Sequence, residues 1–392
     1  MRICLVSLDY WPYRSSGLTI YAEDLARGLR ESGHSVTVVA ALRPETFPQS
    51  TQAEIDLWRV PIGPSDWLGY GLRAARVVEC LQQARPFDVV HFLDVHFAYA
   101  YHGPFVASLW QSFRQRLHAD GGWPYANGRV NRIVRLVYYN VARRWMERIS
   151  LARAGRLIAA CECTEREFVA HYSVEPHRIS RAVQGTDLSA LKPVSCEALR
   201  RRLGLEGRRV VLFLGFATPR KGLEYMAQAL QLLPHDVTWV IVGRWERGYR
   251  DKVWAALGEA RERVIEVGPI ADEERAAYYS LADVYVSPSL LEGLGLTPIE
   301  AHACGTPAIV TSASSGPEEV GDTGLVVPAR NPGALAHAIA SLLSDETFRV
   351  ELGTRGRARV LPQFSYTRMT EETLAAYRLF LDEERPGAVA GR

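Results

Sequence analysis

The sequence predicts an α/β protein made of two successive doubly wound domains, and three observations carry that expectation. Short apolar runs that suit buried strands alternate with helically spaced segments along most of the chain. The alternation pauses at RISRAVQGTDLSALKP, a glycine- and proline-containing stretch that suits a linker, and then restarts. The chain has 392 residues, more than one ordinary core accommodates.

The elements follow in order. RICLVSL is a continuous apolar run, as a strand buried on both faces requires. LTIYAEDLARGLRES places Ile20, Leu25 and Leu29 at helical spacing, and Gly33 suits the C-terminal cap. HSVTVVA, FDVVHFLDV, PFVASLW and RLIAACE read as further strands. After the linker, RVVLFLGF, VTWVIVG, RVIEVGPI, DVYVSPS and PAIVTS are strands. RKGLEYMAQALQLL, DKVWAALGEA, DEERAAYYSLA, PIEAHACG and NPGALAHAIASLLSD are the helices around them. FSYTRMTEETLAAYRLFLDEE is a terminal amphipathic helix, and RPGAVAGR after it is expected to be disordered.

Composition bounds the function classes. Apolar residues make up 47% and charged residues 23%, as in a soluble globular protein. The net charge of +2 gives no global pull toward nucleic acid. No apolar run nears the ~20 residues that span a bilayer. The N-terminus reaches Asp9 too soon for a signal peptide. Six scattered cysteines match neither a disulfide framework nor a zinc site, so a cytoplasmic location is the simplest expectation. Only three of the 46 basic residues are lysines, Lys192, Lys221 and Lys252. That bias discounts arginines as signals and weights a lysine inside a motif upward.

Three stretches carry chemistry. In SSGLTIYAEDL, Gly17 lies between the first strand and the first helix. There a ligand phosphate or a plain tight turn explains it equally. In FATPRKGLEY, Arg220 and Lys221 stand at the carboxyl end of a strand, where α/β sheets bind ligands. Arg220 suits bidentate phosphate contacts and Lys221 a point charge beside it. As cations opening a helix they oppose its dipole, a conflict that a bound anion would relieve. In LEGLGLTPIEAHACGTPAIVT, Thr297, Pro298 and Glu300 fit a capping box worth ~1 kcal/mol. Glu292 has no such structural reason. It sits beside Gly293 and Gly295, whose bared amides suit phosphate while its carboxylate suits hydroxyls. A nucleotide sugar carries both groups.

EGLGLTPIE resembles the E-x7-E motif of the retaining GT-B glycosyltransferases of family 4. EAHACGTPAIVTS, GPEEVGDTGLVVPARNP, VIEVGPIADEERAAYYSLADVYVSPSLLEG, KGLEYMAQAL and the N-terminal SGLTIYAEDLARGLRESGHSVTVV are similar to the same family. The resemblance covers most of the chain and is weakest between about residues 95 and 160. It implies two Rossmann-like domains facing a cleft, residues 1–187 with 365–392 on the acceptor side and 188–364 on the nucleotide-sugar side. The last helix would cross back to the first domain.

By the same resemblance, Glu300 would hold the ribose hydroxyls and Glu292 the donor sugar. Backbone amides of Gly293, Leu294, Gly295, Leu296 and Thr297 would bind the diphosphate and sugar. Arg220 and Lys221 would stabilise the leaving diphosphate, and Ile270 would meet the base through its backbone. Gly17, with Ser16 where many relatives have glycine, would approach the diphosphate from the other domain. The implied reaction is metal- and cofactor-free transfer from a UDP, GDP or similar sugar to a small-molecule, glycan or lipid-linked hydroxyl. A 2-epimerase and a non-catalytic sugar-nucleotide-binding subunit are the alternatives. Many relatives carry a histidine where Trp110 or Gln111 falls here. His91 and His96 are possible substitutes, but a lone histidine at a strand end is more often structural.

Residues 111–156 hold ten arginines against Asp120 and Glu147. An anionic acceptor or peripheral contact with an anionic inner membrane surface is one reading, and a solvated arginine face the other. GGWPYANG, 121–128, is read as an acceptor loop.

Overall fold

A computed structural model describes residues 1–12, 17–42, 55–62, 67–118, 129–313 and 315–384, and the statements below concern these. Ser16, the acceptor-loop stretch 121–128 and the terminal 385–392 lie outside them. Two compact units are present. Residues 1–114, 137–186 and 364–392 form the first, and residues 115–136 and 187–363 the second. The sequence assigned 115–136 to the first domain. The helix in that segment buries none of its side chains, so no core contact ties it there, and its Arg135 pairs with Glu246 at 3.4 Å.

The chain opens with β1 (Arg2–Ser7), α1 (Gly17–Glu31), β2 (Ser35–Leu42), β3 (Asp56–Pro61), α2 (Trp67–Ala84) and β4 (Val89–Phe92). A 3-10 helix (Val95–Ala100), β5 (Val106–Leu109) and α3 (Phe113–His118) follow. Then come α4 (Arg129–Val137), a π-helical turn (Tyr138–Arg143), α5 (Arg144–Arg153), β6 (Arg156–Ala159), α6 (Glu162–Tyr172) and β7 (Ile179–Arg181). The first sheet is parallel in the order β3-β2-β1-β4-β5-β6-β7. Alternate residues of β1 feed opposite faces. Ile3 and Leu5 pack with α1, while Cys4 and Val6 pack with Tyr70, Ala74 and Val78 of α2. Burial on both faces is why the strand reads as an unbroken apolar run.

The second unit holds α7 (Glu197–Arg202), β8 (Arg209–Leu214), α8 (Leu223–Gln231), β9 (Val237–Val242), α9 (Tyr249–Leu257), β10 (Val264–Val267) and α10 (Arg275–Leu281). It continues with β11 (Val284–Ser287), α11 (Leu296–Ala303), β12 (Ala308–Thr311), α12 (Gly316–Val320), β13 (Leu325–Val327), α13 (Pro332–Ser344) and α14 (Glu346–Gln363). Its sheet is also parallel, in the order β10-β9-β8-β11-β12-β13. The strand order reverses between β8 and β11, and the crevice at such a reversal is where open α/β sheets take ligands.

α15 (Tyr366–Glu384) returns to the first unit. Thr186 N–H donates to Phe364 O at 2.9 Å, and Tyr366 N–H donates to Thr186 O at 3.2 Å. Met369, Leu374, Tyr377 and Phe380 then bury against α1. Strands β3, β7 and β13 carry no signal that the sequence reading used. β3 and β7 end their sheet with Asp56, Arg59 and Arg181 in place of an apolar run, and β13 is three residues long.

Candidate active site

The turn after β8 and the loop after β11 are knitted into one structure. Pro219–Lys221 is a 3-10 turn closed by Gly222 at φ 64°. A Cβ on Gly222 would lie 2.3 Å from Pro288 O, so the close approach of the two segments needs glycine. Leu290 N–H donates to Arg220 O at 2.7 Å. Arg220 Nη1 donates to Leu291 O at 3.0 Å and to Glu292 Oε2 at 2.7 Å. Lys221 Nζ and Ser289 Oγ both donate to Glu292 Oε1, the latter at 2.9 Å.

Glu292 is therefore a buried carboxylate between two cations. Burial alone would push its carboxyl up, but Arg220 and Lys221 outweigh burial and hold it at about 2. Burial pulls the Lys221 ammonium below its ordinary value, with Glu292 opposing. The dipole conflict expected from the sequence does not arise. α8 starts at Leu223, after Gly222, and carries Glu224 in its first turn. The protein's own carboxylate, Glu292, balances the two cations.

The capping box is also corrected. α11 begins at Leu296 with Gly295 as N-cap and no side-chain cap. Thr297 Oγ1 instead accepts from Tyr285 OH at 2.7 Å. Glu300, 1% exposed, reaches α10, where Arg275 pairs with Oε2 and Tyr279 OH donates to the same oxygen at 2.6 Å. Glu300 raises the Arg275 guanidinium above its ordinary value against the effect of burial.

Glu319, on α12, is a third buried carboxyl that the sequence reading gave no role. Its Oε1 accepts from Gly295 N–H at 2.6 Å and from Ser315 Oγ at 2.7 Å. Burial and the neighbouring Glu292 charge push it up to about 7, against Ser315, Gly295 and Lys221. The Gly295 amide is thus taken by the protein, contrary to its expected place among the phosphate donors. The only sequence signal was the pair Glu318–Glu319, and which of the two is buried depends on how α12 packs.

The remaining expected residues are spread out. Leu294 and Leu296 are buried beside Gly293, and half-buried Ile270 lies in the loop after β10. Gly17 opens α1 in the first unit, where its carbonyl accepts from Gln184 Nε2 at 3.3 Å. His91 is buried between Tyr377 OH at 2.7 Å and Ser108 Oγ at 2.8 Å, and burial lowers it to about 3. His96 is buried between Asp94 and Glu147, whose charges raise it against burial. Trp110 Nε1 donates to Leu93 O at 2.6 Å, and its ring meets Tyr21 edge-on at 5.0 Å.

The family model described as "Glycosyl transferases group 1" matches residues 196–359. The "Glycosyl transferase 4-like domain" model matches residues 16–182. The chain is a GT-B glycosyltransferase of the family 4 type.

This glycosyltransferase is 30% identical to O-antigen chain mannosyltransferase B of Escherichia coli over 246 residues, 60% of this chain and 64% of the relative. It is 27% identical to a D-inositol 3-phosphate glycosyltransferase of Geodermatophilus obscurus, covering 94% and 86% of the two chains. Among solved structures it is similar in fold to sucrose-phosphate synthase from Thermosynechococcus elongatus. That match has a TM-score of 0.82 at 22% identity, over 97% and 99% of the chains. The HepE protein of Anabaena, solved with UDP-glucose, matches with a TM-score of 0.75 at 18% identity, over 96% and 100% of the chains. Among the described residues, no helix is long and apolar enough to cross a membrane, and no group of three or more His, Cys, Asp or Glu could hold a metal ion.

Proposed function

We propose that this glycosyltransferase moves a sugar from a nucleotide-diphosphate sugar to a hydroxyl acceptor, with retention at the anomeric carbon. The observation that carries the reading is the Arg220–Glu292–Lys221 cluster at the β8–β11 reversal. As the C1–O bond to the diphosphate breaks and the acceptor oxygen bonds to C1, negative charge grows on the departing phosphate. The acceptor proton leaves with that phosphate. Arg220 and Lys221 are cations already fixed in place, so little reorganisation is needed when the charge develops. Glu292 orients both. Three donors occupy its two oxygens, and a carboxylate has about four acceptor positions, which leaves room for a sugar hydroxyl. Glu300, held by Arg275 and Tyr279, is the ribose acceptor in this reading, and the positive charge needed at the phosphate comes from the protein without a metal.

The test is a thermal-shift panel of UDP, GDP, ADP and dTDP with their sugars, on wild type and Glu300→Ala. A ligand at 100 times its Kd adds about 2.7 kcal/mol. One nucleotide should stabilise the wild type and lose most of that effect in Glu300→Ala. NMR of the product with the matching sugar should then show the donor's anomeric configuration. No stabilisation by any nucleotide would refute the donor assignment.

A second observation bears on the acceptor. Val130, Val134, Val137, Val141 and Trp145 recur every three or four residues along the helical run from α4 to α5, and all are exposed. Arg129, Arg144 and Arg148 are exposed on the same run. Apolar side chains beside cations suit an anionic lipid surface, which supports peripheral contact with an anionic membrane. Sedimentation with anionic but not neutral liposomes, weakened by salt, is the expected result. Equal recovery in the supernatant with both would reject it.

A further inference from the structure

Glu319 has the burial of Glu292 and pairs directly with neither of its cations. Its carboxyl is 1% exposed and is met by two neutral donors, the Gly295 amide and the Ser315 hydroxyl. The fit is close: a Cβ on Gly295 would lie 2.7 and 2.8 Å from the two carboxylate oxygens. The carboxyl is thus what fixes the residue from which α11 starts. Glu292 and Thr297 lie three and two residues from that point, so this contact sets the whole turn.

We propose that Glu319 is a positioning residue of the transfer site and takes up a proton when the diphosphate of the donor binds. This rests on the reading of the site given above. With both carboxyls ionised, Glu292 and Glu319 balance the charges of Arg220 and Lys221. A diphosphate adds negative charge to the same small region. One carboxyl can then be neutralised at least cost, and Glu292 is the wrong one because two cations touch it. Glu319 needs only a proton, and in its protonated form an acceptor oxygen remains for the Gly295 amide.

The other charged groups around Glu319 leave this assignment intact. From β11 the Tyr285 phenol faces it, and Glu292 and Lys221 act on it from the loop and the turn. Glu318 is its half-buried neighbour on α12. Arg359 of α14 donates to the backbone carbonyls of Glu318 and Glu319 at 2.8 Å each. Asp322, in the turn after α12, pairs with Arg355, and Glu300 of α11 pairs with Arg275.

The experiment is titration calorimetry of UDP-glucose, or of whichever nucleotide sugar the thermal panel selects. These diphosphate diesters do not themselves titrate near neutral pH. Runs at pH 7.5 in two buffers of different ionisation enthalpy count the protons exchanged. Wild type and Glu318→Gln should take up a substantial fraction of about one proton per donor bound, and Glu319→Gln should take up none while still binding. Glu319→Ala, which loses the Gly295 contact as well, should lower kcat about tenfold or more where Glu319→Gln loses less. Donor binding without proton uptake in the wild type, or uptake that survives in Glu319→Gln, overturns the proposal and leaves the donor assignment standing. If no nucleotide sugar binds, the donor assignment falls and this proposal with it.

Discussion

Both sheets bury titratable side chains at the carboxyl ends of their strands, yet they use them differently. In the first unit, both ring nitrogens of His91 are committed, one to Tyr377 and one to Ser108. His96 is likewise committed to Asp94 and Glu147. An imidazole has two such positions, so neither ring has anything left to offer a ligand. In the second unit Glu292, Glu300 and Glu319 are buried carboxylates, with about four acceptor positions each. Glu292, Glu300 and Glu319 are anchored and keep spare capacity. A buried polar group whose capacity is exhausted builds the fold, and one anchored with capacity left over is a candidate for chemistry.

The largest effect that would break this comparison is at His96. His96→Leu breaks the pair that fully buried Glu147 makes with the ring, which should cost about 3–5 kcal/mol of stability. Denaturant unfolding measures that cost, and kcat of the folded fraction should stay within twofold. A lost kcat in a stable variant would move the first unit's histidine into the chemistry. Because Asp94 and Glu147 raise the folded-state value of His96 above its unfolded value, its contribution is complete below about pH 6.5. It is lost as pH rises through the raised value.

Next in size is Lys221→Ala. Removing one preorganised group aimed at developing charge costs ~10²–10³ in kcat. Donor affinity should change much less. A variant that lost affinity and kept kcat would make Lys221 an ordinary binding residue.

Glu319→Gln should act on stability in the opposite sense from most core changes. The folded value of about 7 lies above the ordinary 4.5, so the native state holds the proton more tightly than the unfolded chain. Stability is fullest below pH 4.5 and falls as pH rises through about 7. Removing the charge should therefore stabilise the protein at pH 8 by about 3 kcal/mol, with the gain vanishing below pH 4.5. A melting temperature that is unchanged or lower at pH 8 would show that Glu319 has more support than its two neutral donors.

The smallest effect sharpens the first unit. Tyr377→Phe removes the hydroxyl from His91 and should cost about 1 kcal/mol with no kinetic change.

Much of this molecule was legible in the sequence. The buried strands of both sheets showed as unbroken apolar runs, because a parallel strand covered on both faces has no polar side to display. The edge strands β3 and β7 were not legible, since a half-covered strand at the end of a sheet tolerates Asp56, Arg59 and Arg181. At the site, Arg220, Lys221 and Glu292 announced themselves as charges beside glycines at the ends of apolar runs. The helix-capping account of Thr297 and Glu300 was locally sound and still failed. Tyr285, Tyr279 and Arg275 offered those groups partners that lie 12, 21 and 25 residues away along the chain.

What the sequence determined was composition, periodicity and short-range spacing: two doubly wound units, the resemblance to family 4 and the position of the charged motifs. What tertiary structure decided was which charge meets which. Gly222 lets the loop after β11 approach the turn after β8, and that approach turns three separate signals into one cluster. The same packing buries Glu319 fully and Glu318 only in part, although the two are adjacent and identical in chemistry. Sequence records what a side chain can do. Burial and distance are properties of the folded chain, and they set the cost of charging that side chain and the partner that offsets it.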